Sequence, residues 1–234
     1  MLILGIETAT SRVGCAIGGH EGVIAAVHSA RDRRHAESLV PQIAFACQQA
    51  AIELSELAAI AVDVGPGLYT GLRVGVTTAV TMAHMLAVPM VGVSSLDLVA
   101  LPLRFANRPI HVALDARRGE VFHARYQTVP GGVQRTSEPV VVAPADLASE
   151  IVASGEDVLL VGDGALRYRS AFEGLSRVEF ADQGFAHPSA SSLVALAHAR
   201  ALREEFVRPD QIVPVYLRGP DAEARWAPAA EATP

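Results

Sequence analysis

The sequence predicts an α/β protein of two similar lobes. Short apolar strands alternate with helical stretches along most of the chain. The order three strands, helix, strand, helix begins again after residue 107. Half of the 234 residues are apolar, ample for a sizeable core. The repeat is one of topology, with no sequence repeat beneath it. The expected boundaries are 1–106 for the first lobe and 107–218 for the second. Residues 219–234 form an alanine-, proline- and charge-rich tail that reads as disordered.

The first lobe opens with strands expected at 2–7, 12–18 and 22–28, joined by tight polar or glycine turns and therefore antiparallel. Residues 36–54 read as a helix, with Leu39, Ile43, Cys47, Ala50 and Leu54 on one stripe. Pro41 fits there only in the first turn or at a kink. An apolar strand at 58–64 runs into Gly65-Pro66-Gly67, which ends any regular element. Thr70 is placed to cap a second helix, 71–87, and a strand at 89–93 follows. A strand–helix–strand run of this length implies parallel pairing with a right-handed crossover. Ser94-Ser95 can cap a further helix toward Arg104.

In the second lobe, strands are expected at 110–114, 120–127 and 138–142, with Pro130-Gly131-Gly132 as a turn. A helix to residue 153, a strand at 157–161 and the loop Gly162-Asp163-Gly164 come next. Then follow a helix at 165–172, a short strand at 178–181, a long helix at 189–206 and an extended segment at 212–217.

The second helix of the first lobe is apolar or small nearly all round, the mark of a buried helix. Gly71, Gly75, Ala79, Ala83 and Ala87 fall four apart, forming a groove that lets another helix approach closely. The polarity of its outer stripe comes from Thr70, Arg73, Thr77, Thr81 and His84. With so narrow a polar stripe, the helix is expected to be covered on its outer face by a partner. The candidate contact residues are His35, Leu39, Ile43 and Cys47 on the first helix, and Gly71, Arg73, Gly75, Ala79 and Ala83 on the second.

Composition excludes several chemistries. All 19 basic residues are arginine, so no P-loop lysine and no Schiff-base lysine exists. A net charge of -6 argues against a large nonspecific nucleic-acid surface. The runs Arg31, Arg33, Arg34 and Arg117, Arg118 read as solvated loop charge. Cys15 and Cys47 lie in apolar surroundings and read as buried free thiols in a reducing compartment. None of the eight histidines has a partner at i+3 or i+4, so no helical metal site forms from neighbours in sequence. His35 reads as a capping or surface residue. No Gly-x-Ser-x-Gly elbow and no cysteine–histidine pair supports peptide hydrolysis. Residues 74–93 imitate a membrane span, but three threonines, the small-residue row and Pro89 point to a buried helix running into a strand. The first residues read directly as a strand. The expectation is a soluble, cytoplasmic protein.

A duplicated βββαβα unit resembles the fold shared by actin, Hsp70 chaperones and sugar kinases, in which two lobes face each other across a nucleotide cleft. The first hairpin there presents an Asp to nucleotide-bound metal; the matching stretch here is Ile6-Glu7-Thr8-Ala9-Thr10. That start resembles the tRNA threonylcarbamoyladenosine biosynthesis proteins. So does Gly65-Pro66-Gly67-Leu68-Tyr69-Thr70-Gly71-Leu72-Arg73. Asp115-Ala116-Arg117-Arg118-Gly119-Glu120-Val121-Phe122 and Pro214-Val215-Tyr216-Leu217-Arg218 resemble the shorter, non-catalytic branch, TsaB or YeaZ. The catalytic branch, TsaD, carries two metal-binding histidines on a first-lobe helix; the corresponding stretch here holds His35 alone.

The resemblance implies a non-catalytic partner of a TsaD-like subunit. The product would be N6-threonylcarbamoyladenosine in the anticodon loop of tRNAs reading codons that begin with A. ATP and a metal ion are expected in the TsaD partner. A TsaE-like ATPase would dock on the pair, tRNA would be met through the complex, and the chain alone would form a homodimer through the same helices. The residues at the superfamily's cleft positions are Glu7, Thr8, Asp115, Gly162 and Gly164. The competing expectation is a sugar-kinase-class phosphotransferase using ATP and Mg²⁺, for which Glu7, Asp115 and Asp163 are the only carboxylates at suitable loops.

Overall fold

The computed structural model describes residues 1–30 and 35–218. The expected basic run at 31–34 and the tail from 219 lie outside the described residues.

Strands β1 (Leu2–Glu7), β2 (Val13–Gly19) and β3 (Gly22–Ser29) form the antiparallel meander. Helix α1 (His35–Ala50), strand β4 (Leu57–Gly65), helix α2 (Tyr69–Leu86) and strand β5 (Met90–Ser94) follow. The sheet runs β3-β2-β1-β4-β5, with β4 parallel to β1 and to β5. Helix α3 (Ser95–Ala100) leads into the second half. There β6 (Ile110–Arg117) and β7 (Glu120–Val129) form a hairpin, joined by β8 (Gly132–Arg135) and β9 (Val140–Val142), both on β7. Helix α4 (Pro144–Ser154), strand β10 (Val158–Val161), helix α5 (Asp163–Arg167), strand β11 (Val178–Phe180) and helix α6 (Ala190–Ala201) complete it. The second sheet runs β11-β10-β6-β7-β8. Both sheets thus place their strands in the same order, which is the two-lobed actin-like ATPase fold.

Several elements differ from expectation. α1 ends at Ala50 and Ala51 adopts a left-handed backbone, so Leu54 falls outside the helix. α2 begins before Thr70; Leu68 holds the N-cap position, and Thr70 lies in the first turn. The turn expected at Gly132 opens strand β8, so two short strands share the edge expected for one. α6 stops at Ala201, well short of residue 206. From there the chain runs antiparallel to β5 for one bridge, Met90 with Val207. It then crosses as a strap, with Val215 N–H donating to Val64 O at 2.7 Å and Arg218 donating to Ala116 O at 2.9 Å.

Strand alternation decides which core each side chain enters. On one face of the first sheet, Leu4, Ile6, Cys15, Ile60 and Val62 pack with α1 and α2. On the other, Ile3, Ala59, Val91 and Val93 pack with Leu193 and Ala197 of α6. The helix that ends the second half therefore covers the first sheet. Reciprocally, Leu96 and Val99 of α3 pack on Ile110, Val112 and Tyr126 of the second sheet. α4 and α5 cover that sheet's opposite face. Both cysteines are free and buried.

Candidate functional site

The turns after β1 and β6 occupy equivalent places at the base of the interlobe cleft. Glu7 is buried at the end of β1, and its Oε1 accepts the Ala9 N–H at 2.8 Å. In the neighbouring strand Asp63 is wholly buried; its Oδ1 accepts the Ser95 hydroxyl at 2.6 Å and the Gly65 N–H at 2.8 Å. Its Oδ2 is sealed without a partner. Burial drives the Glu7 carboxyl well above the usual carboxylate range, and Asp63 beside it adds to the effect. Burial pushes Asp63 up to about 7. The Thr8 hydroxyl donates to Gly71 O at 2.8 Å and so fastens β1 to the first turn of α2.

Across the cleft, Asp115 accepts the Arg117 N–H at 2.9 Å and the Tyr168 hydroxyl at 3.1 Å. The guanidinium groups of Arg117 and Arg167 lie 3.2 and 3.6 Å from its other oxygen. Asp163 accepts the Asp115 N–H at 2.9 Å, and burial pushes it up to about 6. Gly162 has φ +122°, and a Cβ there would meet Ala113 O at 2.0 Å; at Gly164 a Cβ would meet Leu114 C at 2.8 Å. α5 begins at Asp163, inside the expected loop, and its close pass over β6 requires both glycines, Gly162 also for its positive φ.

The cleft thus gathers Glu7, Asp115 and Asp163, while Thr8, Gly162 and Gly164 serve the backbone. A phosphotransferase needs one ionised carboxylate for Mg²⁺ and another as base. Here Glu7 favours its proton, and Asp115 is already held by two guanidinium groups and a phenol. Asp63 joins them; its signal in the sequence is a lone carboxylate within an apolar strand. Arg12 and His187, both beside the cleft, gave no signal at all. Among the described residues no group of three or more His, Cys, Asp or Glu could hold a metal ion.

The small-residue row faces inward, and this corrects the expected contact surface. Gly71, Gly75, Ala79 and Ala83 are all buried, and a Cβ at Gly75 would lie 2.1 Å from Thr8 Oγ1. The groove lets α2 press onto the chain's own β1–β4 layer. Leu39, Ile43 and Cys47 likewise enter the chain's own core. His35 is half-buried, and its Nε2 lies 2.9 Å from Thr10 O, tying α1 to the first turn.

Of the expected contact residues, Arg73 is exposed; it donates to the Tyr69 hydroxyl at 2.7 Å. The outer face of α2 is the polar stripe Thr70, Arg73, Thr77, Thr81 and His84, with Met85 80% exposed. The middle of the outer face of α1 is apolar: Val40 is 61% and Phe45 50% exposed, with Pro41 and Ala44 between them and Glu37, Gln48 and Gln49 toward the ends. Tyr69 packs against Tyr216 of the strap, with ring centres 5.1 Å apart.

A family model described as TsaD: tRNA N6-adenosine threonylcarbamoyltransferase matches residues 22–226. The tRNA threonylcarbamoyladenosine biosynthesis protein TsaB of Bacillus subtilis is 31% identical over 97% of this chain and 98% of its own. The chain belongs to the TsaB family. An uncharacterized Mycobacterium leprae protein is 35% identical over 95% of this chain, which spans 56% of that protein's length. A Pseudomonas aeruginosa crystal structure, of an uncharacterized protein with similarity to peptidase YeaZ, superposes with a TM-score of 0.81. It is 27% identical and covers 93% of this chain and 99% of that one. Among the described residues, no helix is long and apolar enough to cross a membrane.

Proposed function

We propose that this chain serves the formation of N6-threonylcarbamoyladenosine in tRNA as the non-catalytic partner of a TsaD-like subunit. The observation that carries the reading is the outer surface of α1 and α2. Val40, Pro41, Ala44 and Phe45 leave an apolar stripe on α1 beside the threonine stripe and Met85 of α2. An apolar helix face rimmed by polar residues suits docking against another helix pair. The TsaD-like subunit presents that pair, and a second copy of this chain competes for the same face when the subunit is absent. ATP and the metal ion belong to the partner, a TsaE-like ATPase joins the assembled pair, and tRNA is met through the complex. The setting is the cytoplasm. The pairing of Asp115 with two guanidinium groups and the burial that drives the Glu7 carboxyl upward favour this reading over phosphoryl transfer.

The test mixes the full chain with the TsaD homologue of the same cell and measures affinity by calorimetry. Phe45→Asp and Met85→Asp should each weaken the complex at least about tenfold, or about 1.4 kcal/mol. Stability should stay within about 0.5 kcal/mol, as for other exposed sites. Full affinity in both variants would place the interface elsewhere.

A further inference from the structure

A cavity of about 340 Å³ opens beside the interlobe cleft, between the β2–β3 layer and the segment that leads into α6. Its lining includes Glu7, Arg12, Gly14, His28, Ser189 and Ser191. This is within the usual size range of small-ligand pockets, about 300–1,000 Å³. Arg12 is the group without an explanation. Among the described residues it forms no ion pair, and its Nε is sealed from solvent without a hydrogen-bond partner. A half-buried guanidinium left unpaired is costly, because five donors fixed in a planar fork have lost part of their water. Elsewhere in the cleft guanidinium groups are paired, Arg117 and Arg167 with Asp115 and Arg218 with Glu120.

The rest of the lining has the same bias. The Ser189 hydroxyl caps α6 by accepting from Ser192 N–H at 3.0 Å, and no acidic residue stands in the first turn of that helix. His187, adjoining the cavity, is kept neutral by burial and by the Arg12 charge, and its Nδ1 is also sealed without a hydrogen bond. The carboxyl in the lining, Glu7, already accepts the Ala9 N–H; burial drives it well above the usual carboxylate range, with the Arg12 charge acting in the opposite direction. The lining therefore offers one guanidinium, hydroxyl groups and a helix start, with Glu7 as its one carboxyl group, and Asp163 lies outside it, 3.9 Å from His187 Nδ1.

We propose that this cavity binds the carboxylate or phosphate group of a small molecule, with Arg12 as its principal ligand and Ser191 at the helix start as a second donor. The site is separate from the partner face and does not depend on the function proposed above.

The experiment titrates the full chain with potassium phosphate and, separately, potassium acetate, each against potassium chloride at equal ionic strength. It follows thermal unfolding and the imidazole carbon–proton signals of His28 and His187. The expected result is a saturable rise in melting temperature with at least one oxyanion, together with shifts confined to those two histidines. Which oxyanion acts identifies the group. Arg12→Gln should weaken the response at least tenfold, while Arg135→Gln, remote on β8, should leave it intact. If Arg12→Gln does not fold, Ser191→Glu supplies the test. Its carboxylate enters the cavity beside Arg12 and should abolish the response. No saturable response, an equal response to chloride, or a response that survives both cavity variants would overturn the proposal.

Discussion

Two buried histidines make acid the sharpest probe of the second lobe. His111 on β6 and His123 on β7 are each 2% exposed, with His123 Nε2 3.2 Å from His111 Nδ1. The Nε2 of His111 is sealed with no partner. Burial lowers His111 to about 3, helped by His123 and Arg125, and lowers His123 to about 4. Both are neutral in the folded state and take up protons once unfolded, below about pH 6.5. The unfolded state then binds more protons, so their contribution to stability is complete above pH 6.5 and is lost as pH falls toward 4. At pH 5, about 1.5 units below the free value and about 1.36 kcal/mol per unit, each costs about 2 kcal/mol, or about 4 kcal/mol for the pair.

The wild-type curve alone will not display this. Asp63 at about 7, Asp163 at about 6 and Glu7 titrate with the opposite sign, each gaining stability as pH falls because the folded state holds the proton. The difference between wild type and His111→Asn/His123→Asn isolates the pair. Urea unfolding across pH 7.5 to 5 should show the wild type losing about 4 kcal/mol relative to the variant, whatever constant offset the substitutions bring. Parallel curves, within about 1 kcal/mol, would refute the claim that these rings are held neutral.

Other outcomes follow from burial and pairing. Ala79→Arg forces a charge into a site that is 0% exposed. It should unfold the chain by circular dichroism, a loss above about 4 kcal/mol, and a folded variant would return the small-residue row to the surface. Burial pushes the Cys15 thiol up to about 12 and raises Cys47, so neither should react with a disulfide reagent at pH 8 until denaturant is added. Rapid labelling of the native protein would contradict this. Arg218→Ala removes the 2.7 Å pair with Glu120 and the bond to Ala116 O. It should cost about 1–2 kcal/mol, read as a fall in melting temperature, and an unchanged value would mean that the Val215–Val64 backbone bond and apolar contacts hold the strap without Arg218.

Local pattern made much of this fold legible. Alternation and turn chemistry placed the hairpins, and the recurrence of element order predicted two sheets of one topology. Direction was harder to read. Gly71, Gly75, Ala79 and Ala83 mark a close approach, but their spacing is the same whether the approaching surface is a partner helix or the chain's own β1. Thr70, Arg73, Thr77, Thr81 and His84, noted as too sparse for an outer face, are that face. β8 escaped because Gly132–Arg135 is short and half polar, and its pairing with β7 sets its conformation. The candidate cleft was legible at Glu7 and Asp115 through position, whereas Arg12, Asp63 and His187 come together only through contacts distant in sequence.

The exchange of covering helices has a consequence for synthesis of the chain. The first sheet can form its strand pairs once Ser94 has emerged, yet the face bearing Ile3, Ala59 and Val91 has only Leu98 of α3 to pack on until α6 is made. At about 5–20 residues per second, the interval of roughly a hundred residues leaves an apolar sheet face open to water for about 5–20 s on each ribosome. Neither half is a separate folding unit in this arrangement. The last helix to leave the ribosome covers the first sheet to have formed, so a chain halted near residue 180 would expose the surface that chaperones and proteases recognise.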